Sequence, residues 1–130
     1  MPSIVDVLKA KPEYIGANGR SDEEISRAEN ALGISFAKDY RKYLSAIGLA
    51  CFDGHELTGL TKTARLDVVS VTMEKREQFG DFAMSLYVVE EANIDGIVIW
   101  QSSDGAVYEA TPNSKAKKIA SSLSEYIQRN

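Results

Sequence analysis

One cysteine, one histidine, one tryptophan and three prolines stand in a chain of 130 residues, and each scarcity removes a class of protein. A lone Cys51 forms no intrachain disulfide, which agrees with a reducing compartment. One histidine and one cysteine are too few for a metal centre of the His/Cys type, where several ligands converge on one point. Neither a phosphate-binding loop nor a dinucleotide fingerprint occurs, since Gly54, Gly59, Gly96 and Gly105 are isolated turn glycines. Long apolar runs are also missing: Ile97–Trp100 is among the longest, against the ~20 residues needed to cross a bilayer. The opening MPSIVDVLKAKPEY carries Asp6 and no apolar stretch ending in small residues. A secretory leader is therefore not expected, and the cytoplasm is the expected compartment.

What is present is an ordinary globular composition, 44% apolar and 26% charged, in a length that supports one self-contained core. One domain, residues 1–130, is expected. The formal charge is −4, which argues against nucleic acid as a partner, because affinity for phosphates comes mainly from lysine and arginine. Residues 1–50 carry seven basic and seven acidic side chains, residues 51–110 four and eleven, and residues 111–130 four and one. The middle is thus a strongly acidic block between a neutral head and a basic tail. Such a block reads either as a solvated face that keeps the protein soluble or as a face that attracts a basic partner.

Local patterning predicts helices first. Ser21 with Glu24 three residues later is a capping box, and Asp22, Glu23 and Glu24 suit the positive end of a helix dipole. Ile25, Ala28 and Leu32 follow on one face and Gly33 is placed to end the helix, so a helix over 22–32 is predicted. Phe36, Tyr40, Tyr43, Leu44 and Ile47 predict a second, stopped at Gly48, with both tyrosines in the core. Ser3 caps a shorter one with Ile4, Val7 and Leu8 inward and Pro12 preventing its extension. After Gly48 the β-branched run Leu66–Thr72 predicts a strand, as do Ser85–Glu90, Gly96–Gln101 and Ala106–Ala110, the last two joined by a hairpin at 102–105. Met73–Phe79 reads as a short helix or turn, and 115–128 as a closing helix whose three early lysines oppose the dipole. Helices, then antiparallel strands, then a helix make an α+β fold with helices packed around a mainly antiparallel sheet.

Residues with possible chemistry are few. Cys51 and His55 flank Phe-Asp-Gly, a turn rather than a helix that would align them, so they read as a small buried thiol and a loop imidazole. Glu90, Glu91 and Asp95 are close in sequence, but adjacent strand residues point to opposite faces and the aromatic platforms of a sugar cleft are missing. Trp100 reads as core packing or, alternatively, as an anchor at a partner surface.

Ala28-Glu29, Leu32-Gly33-Ile34, Asp39-Tyr40, Tyr43-Leu44 and Gly48 follow one another in an order that resembles the signature of the SUKH superfamily, whose members include a yeast cell-wall assembly regulator and many bacterial immunity proteins. Gly54, Gly59-Leu60, Val68-Val69 leading to Thr72 and Arg76, the Gly96–Trp100 strand, Asp104-Gly105 with Val107-Tyr108, and Leu123-Ser124-Glu125-Tyr126 continue the resemblance along nearly the whole chain. Ala37 stands where the family usually has proline, and Ile47 where a polar residue is common. The resemblance implies a non-enzymatic domain without a cofactor, monomeric or weakly homodimeric. It would bind and neutralise a cognate polymorphic or contact-dependent toxin in the cytoplasm, the toxins of this class often being basic nucleases; the alternative is a regulatory adaptor of the same fold. On that reading the partner would dock on Asp53, Glu56, Glu90, Glu91 and Asp95, with Trp100 as a hydrophobic anchor.

Overall fold

The computed structural model describes residues 3–92 and 94–129. Three helices open the chain: α1 (Ile4–Lys9), α2 (Asp22–Leu32) and α3 (Lys38–Ala46). The Ser21–Glu24 capping box is complete, with Ser21 Oγ accepting from the Glu24 amide and Glu24 from the Ser21 amide, and Gly33 closes α2 in the left-handed conformation. Strands β1 (Ile15–Gly16), β2 (Ala50–Phe52) and β3 (His55–Glu56) form a small antiparallel sheet. Asp53 and Gly54, both at positive φ, make the tight β2–β3 turn. Strands β4 (Leu86–Glu91), β5 (Val98–Ser102), β6 (Val107–Ala110) and β7 (Lys117–Ala120) form an antiparallel meander in chain order. The two sheets are joined where Leu57 bridges Glu90 and the Thr58 amide donates to the Val89 carbonyl, 2.9 Å. Helices α4 (Val68–Phe79) and α5 (Leu123–Gln128) complete an α+β architecture, as the patterning predicts.

Two segments differ from expectation. Leu66–Thr72 is not a strand: Asp67 accepts from the Ser70 amide and caps α4, which runs from Val68 to Phe79. Val68, Val71, Thr72 and Phe79 are buried at helical spacing, so the cap and the periodicity override the strand preference of the β-branched run. Residues 115–128 are not one helix either. Lys117–Ala120 form the edge strand β7, and α5 starts only after Ser122, which caps it by accepting from the Glu125 amide. Lysines 117 and 118 therefore lie exposed on a sheet edge, where they discourage pairing with other chains, and no unfavourable dipole contact arises.

The meander is covered on both faces. Tyr87, Val89, Ile99 and Val107 join the core beneath α1, α2, α3 and α5, whereas Leu86, Val88, Val98 and Trp100 pack beneath Val71 and Phe79 of α4. A β-bulge interrupts the alternation: Val88 pairs with Trp100 but Glu90 pairs with Ile99. Two residues oppose one there, so Val89 and Glu90 both turn towards the α5 side.

Most signature residues hold this framework together. Tyr40 donates to Thr58 Oγ1 (2.8 Å), which itself donates to the Val88 carbonyl, and Tyr43 donates to the Thr58 carbonyl while accepting from the Ala50 amide. Asp39 accepts from the Leu123 amide at 2.7 Å and from Gln101 Nε2 at 3.1 Å, tying α3 to α5 and β5. Arg76 donates to the Leu32, Ala83 and Leu86 carbonyls. At Ala37 the backbone φ is −62°, as proline would have, but the amide donates to the Tyr87 hydroxyl at 2.9 Å. Ile47 is a core residue.

Candidate functional site

A cleft of about 420 Å³ opens where the β2–β3 hairpin, the β4–β5 connection and α5 meet. Its floor is apolar, from Ile97, Ile99 and Ile119, and four carboxylates line it: Glu56, Glu90, Glu91 and Glu109. The 53–54 turn borders one side through Gly54, and Ile94 and Ile97 bracket a second Asp-Gly turn at 95–96. There too both residues have positive φ. Ile94 is 63% exposed and extends the apolar lining of the cleft to its rim.

Each carboxylate has a different environment. Glu90, turned inward by the bulge, is only 3% exposed. One of its oxygens accepts from the Tyr126 hydroxyl at 2.5 Å and the other meets His55 Nδ1 at 2.8 Å. Burial pushes the Tyr126 phenol far above its ordinary value, and the charge of Glu90, its hydrogen bond to Glu90 and the charge of Glu109 add to the shift. The phenol is consequently a fixed donor. His55 stacks on Phe52 with ring centroids 5.1 Å apart. Glu56 accepts two bonds from Arg65, at 3.0 and 3.2 Å, and this pairing holds its carboxyl below the ordinary range. Glu91, the last residue of β4, pairs with Lys75 of α4 at 3.4 Å. Glu109, opposite Ile99 on one side and Lys117 on the other, has no ion pair among the described residues.

The structure thus brings Glu56, Glu90 and Glu91 to one cleft, with Asp53 and Asp95 exposed on its flanking turns. Trp100 is not there. It is fully buried on the other face of the meander between Phe79 and Phe82, with ring centroids at 5.4 and 6.0 Å, so the anchor role is corrected to core packing. Glu90 is likewise no exposed docking residue; its carboxylate is spent on joining the hairpin to α5. The sequence reading omits Glu109, Tyr126 and Ile94 as cleft residues. Hairpin register would place Glu109 beside Ile99, and an isoleucine next to an Asp-Gly turn is a visible sign of an apolar loop tip. Cys51 is half-buried on β2 rather than fully enclosed, and His55 lies on β3. Among the described residues no group of three or more His, Cys, Asp or Glu could hold a metal ion, and no helix is long and apolar enough to cross a membrane.

The architecture is similar to that of a crystal structure of a protein from Pseudomonas syringae pv. tomato, with a TM-score of 0.77 and 11% identity over 96% of this chain and 93% of the other. At that identity the likeness concerns the fold. No curated protein matches the sequence. A family model does: SUKH_5, described as SMI1-KNR4 cell-wall, matches residues 1–130. With the signature tyrosines, Asp39 and Arg76 all engaged in holding the framework, the chain belongs to the SMI1-KNR4 (SUKH_5) family.

Proposed function

We propose that this protein is a cytoplasmic, non-enzymatic immunity protein that binds a basic toxin domain through the acidic cleft and holds it inactive. The observation that carries the reading is the cleft itself, where carboxylates surround an isoleucine floor and Ile94 stands exposed beside it. Apolar surface gives an interface its stability, and unpaired carboxylates on the rim accelerate the approach of a cationic partner. Asp53, Asp95 and Glu109 serve that steering, because neither ion pairs nor buried bonds within the described residues consume them. Glu56 and Glu91 enter as members of ion pairs that a stronger cationic group of the partner displaces. No cofactor is required for such an inhibitor.

Co-expression tests the proposal. The partner to use is a candidate toxin encoded beside this chain's gene, a secreted protein with a variable C-terminal nuclease domain; rescue of growth and co-purification are expected. Failure of both would transfer the fold to the adaptor role.

A further inference from the structure

A second surface has the opposite charge. An open groove of about 660 Å³ runs between α2 and α4, floored by Ala28, Ala31, Leu60 and Val69. The alanines keep the α2 side shallow, so a neighbouring backbone can approach closely. Met73, one turn along α4 from Val69 and hence on the same side of that helix, is 54% exposed and lengthens the apolar strip.

Three cations border the groove: Arg20, Arg27 and Lys62. Other cations near the acidic block are occupied, Arg65 by Glu56, Lys75 by Glu74 and Glu91, and Arg76 by three carbonyls. Arg20, Arg27 and Lys62 have no carboxylate within ion-pair distance among the described residues. Among the described residues that line the groove, Glu24 is the acidic one. Its oxygen is committed to the Ser21 amide and hydroxyl, and those bonds, ahead of the fields of Arg20 and Arg27, hold its carboxyl low. Arg20 Nε donates to the Leu60 carbonyl at 3.1 Å, which fixes that guanidinium beside the groove. Within a chain of net charge −4, this is an apolar strip bordered by positive charge that no carboxylate among the described residues pairs.

We infer that the α2–α4 groove is a docking site for an acidic amphipathic helix of a partner protein. A helix is favoured over an extended segment because the groove lies between two helices and no strand lines it, so ridge-into-groove packing is the available mode. The 11 residues of α2 span ~16 Å, which matches about three turns of a bound helix. Leucines on its inner face would cover the alanines, Val69 and Met73, while glutamates along its flanks meet Arg20, Arg27 and Lys62.

The test uses the full chain and a synthetic helix of about three turns, leucine-faced and glutamate-flanked, with a lysine-flanked twin as control. The expected result is that amide resonances of α2, α4 and residues 60–62 shift on titration. Arg27→Glu with Lys62→Glu should weaken binding at least tenfold and reverse the preference between the two probes. Ala31→Trp should block the floor without touching a charge; all three substituted positions are exposed, so the fold is retained. The inference is overturned if the glutamate probe does not bind, if shifts fall elsewhere, if the double variant binds both probes as the parent does, or if a short oligonucleotide takes the groove more tightly than the acidic helix.

Discussion

Removing the Glu90 carboxylate probes the joint between the hairpin and α5. In Glu90→Ala the Tyr126 hydroxyl, largely buried, loses its acceptor and His55 loses its carboxylate partner. A hydrogen bond to a charged group is worth about 1.5–3 kcal/mol, and the cost of burying the carboxylate offsets part of two such bonds. The net loss expected is about 3 kcal/mol by urea unfolding. Tyr126→Phe removes the donor and costs about 1–2 kcal/mol. Since both deletions break the same bond, the double variant should lose about 1.5 kcal/mol less than the two single losses together. Coupling below about 0.3 kcal/mol would refute the idea that Glu90 acts as an internal tie, and would return it to the set of partner-facing residues.

Three further outcomes follow from buried groups. Trp100→Phe should cost less than about 1.5 kcal/mol despite complete burial, because the indole N–H has no partner among the described residues and its loss breaks no bond; Trp100→Ala should cost about 3–5 kcal/mol, and Trp100→Phe should leave partner affinity unchanged in calorimetry. Ala37→Pro should change stability by under about 1 kcal/mol, since the matching φ restricts the unfolded chain while the amide bond to Tyr87 is lost. Tyr40, Tyr43, Tyr87 and Tyr126 all have phenols raised above 10, foremost by burial. The unfolded chain releases those protons near pH 10 and the folded one retains them, so stability is intact below pH 10 and falls above it, by ~5 kcal/mol per pH unit for four phenols. Circular dichroism and tyrosinate absorbance should change together; ionisation of all four near pH 10 with the fold intact would contradict this.

The capping box, the Gly33 stop and the strand runs at 85–90, 96–101 and 106–110 were legible because each depends on neighbours in sequence. Val68-Val69 misled, since β-branched residues favour strands only until a cap at Asp67 and a buried helical stripe outweigh them. Ser122 and Glu125 do carry a start signal for α5, but the apolar positions 116, 119 and 120 imitate a longer helix and conceal the break at Ser121-Ser122. The acidic residues crowded in 51–110 include the four carboxylates that line the cleft. Their crowding could not reveal which carboxylates are free, because Arg65 meets Glu56 and Lys75 meets Glu91 through tertiary packing, and a one-residue bulge decides that Glu90 points inward. Trp100 illustrates the same limit: a tryptophan ending a strand is silent about which face is covered until α4 is placed.

The association rate with a basic toxin domain, measured against ionic strength, tests the central claim most directly. Asp53→Asn, Asp95→Asn and Glu109→Gln together remove three unpaired rim charges while leaving the Glu90 joint untouched. The triple variant should associate about tenfold more slowly at low salt, with its rate converging on the parent's at high salt as screening takes over. Equal rates and equal salt dependence for the two proteins would contradict docking at this cleft.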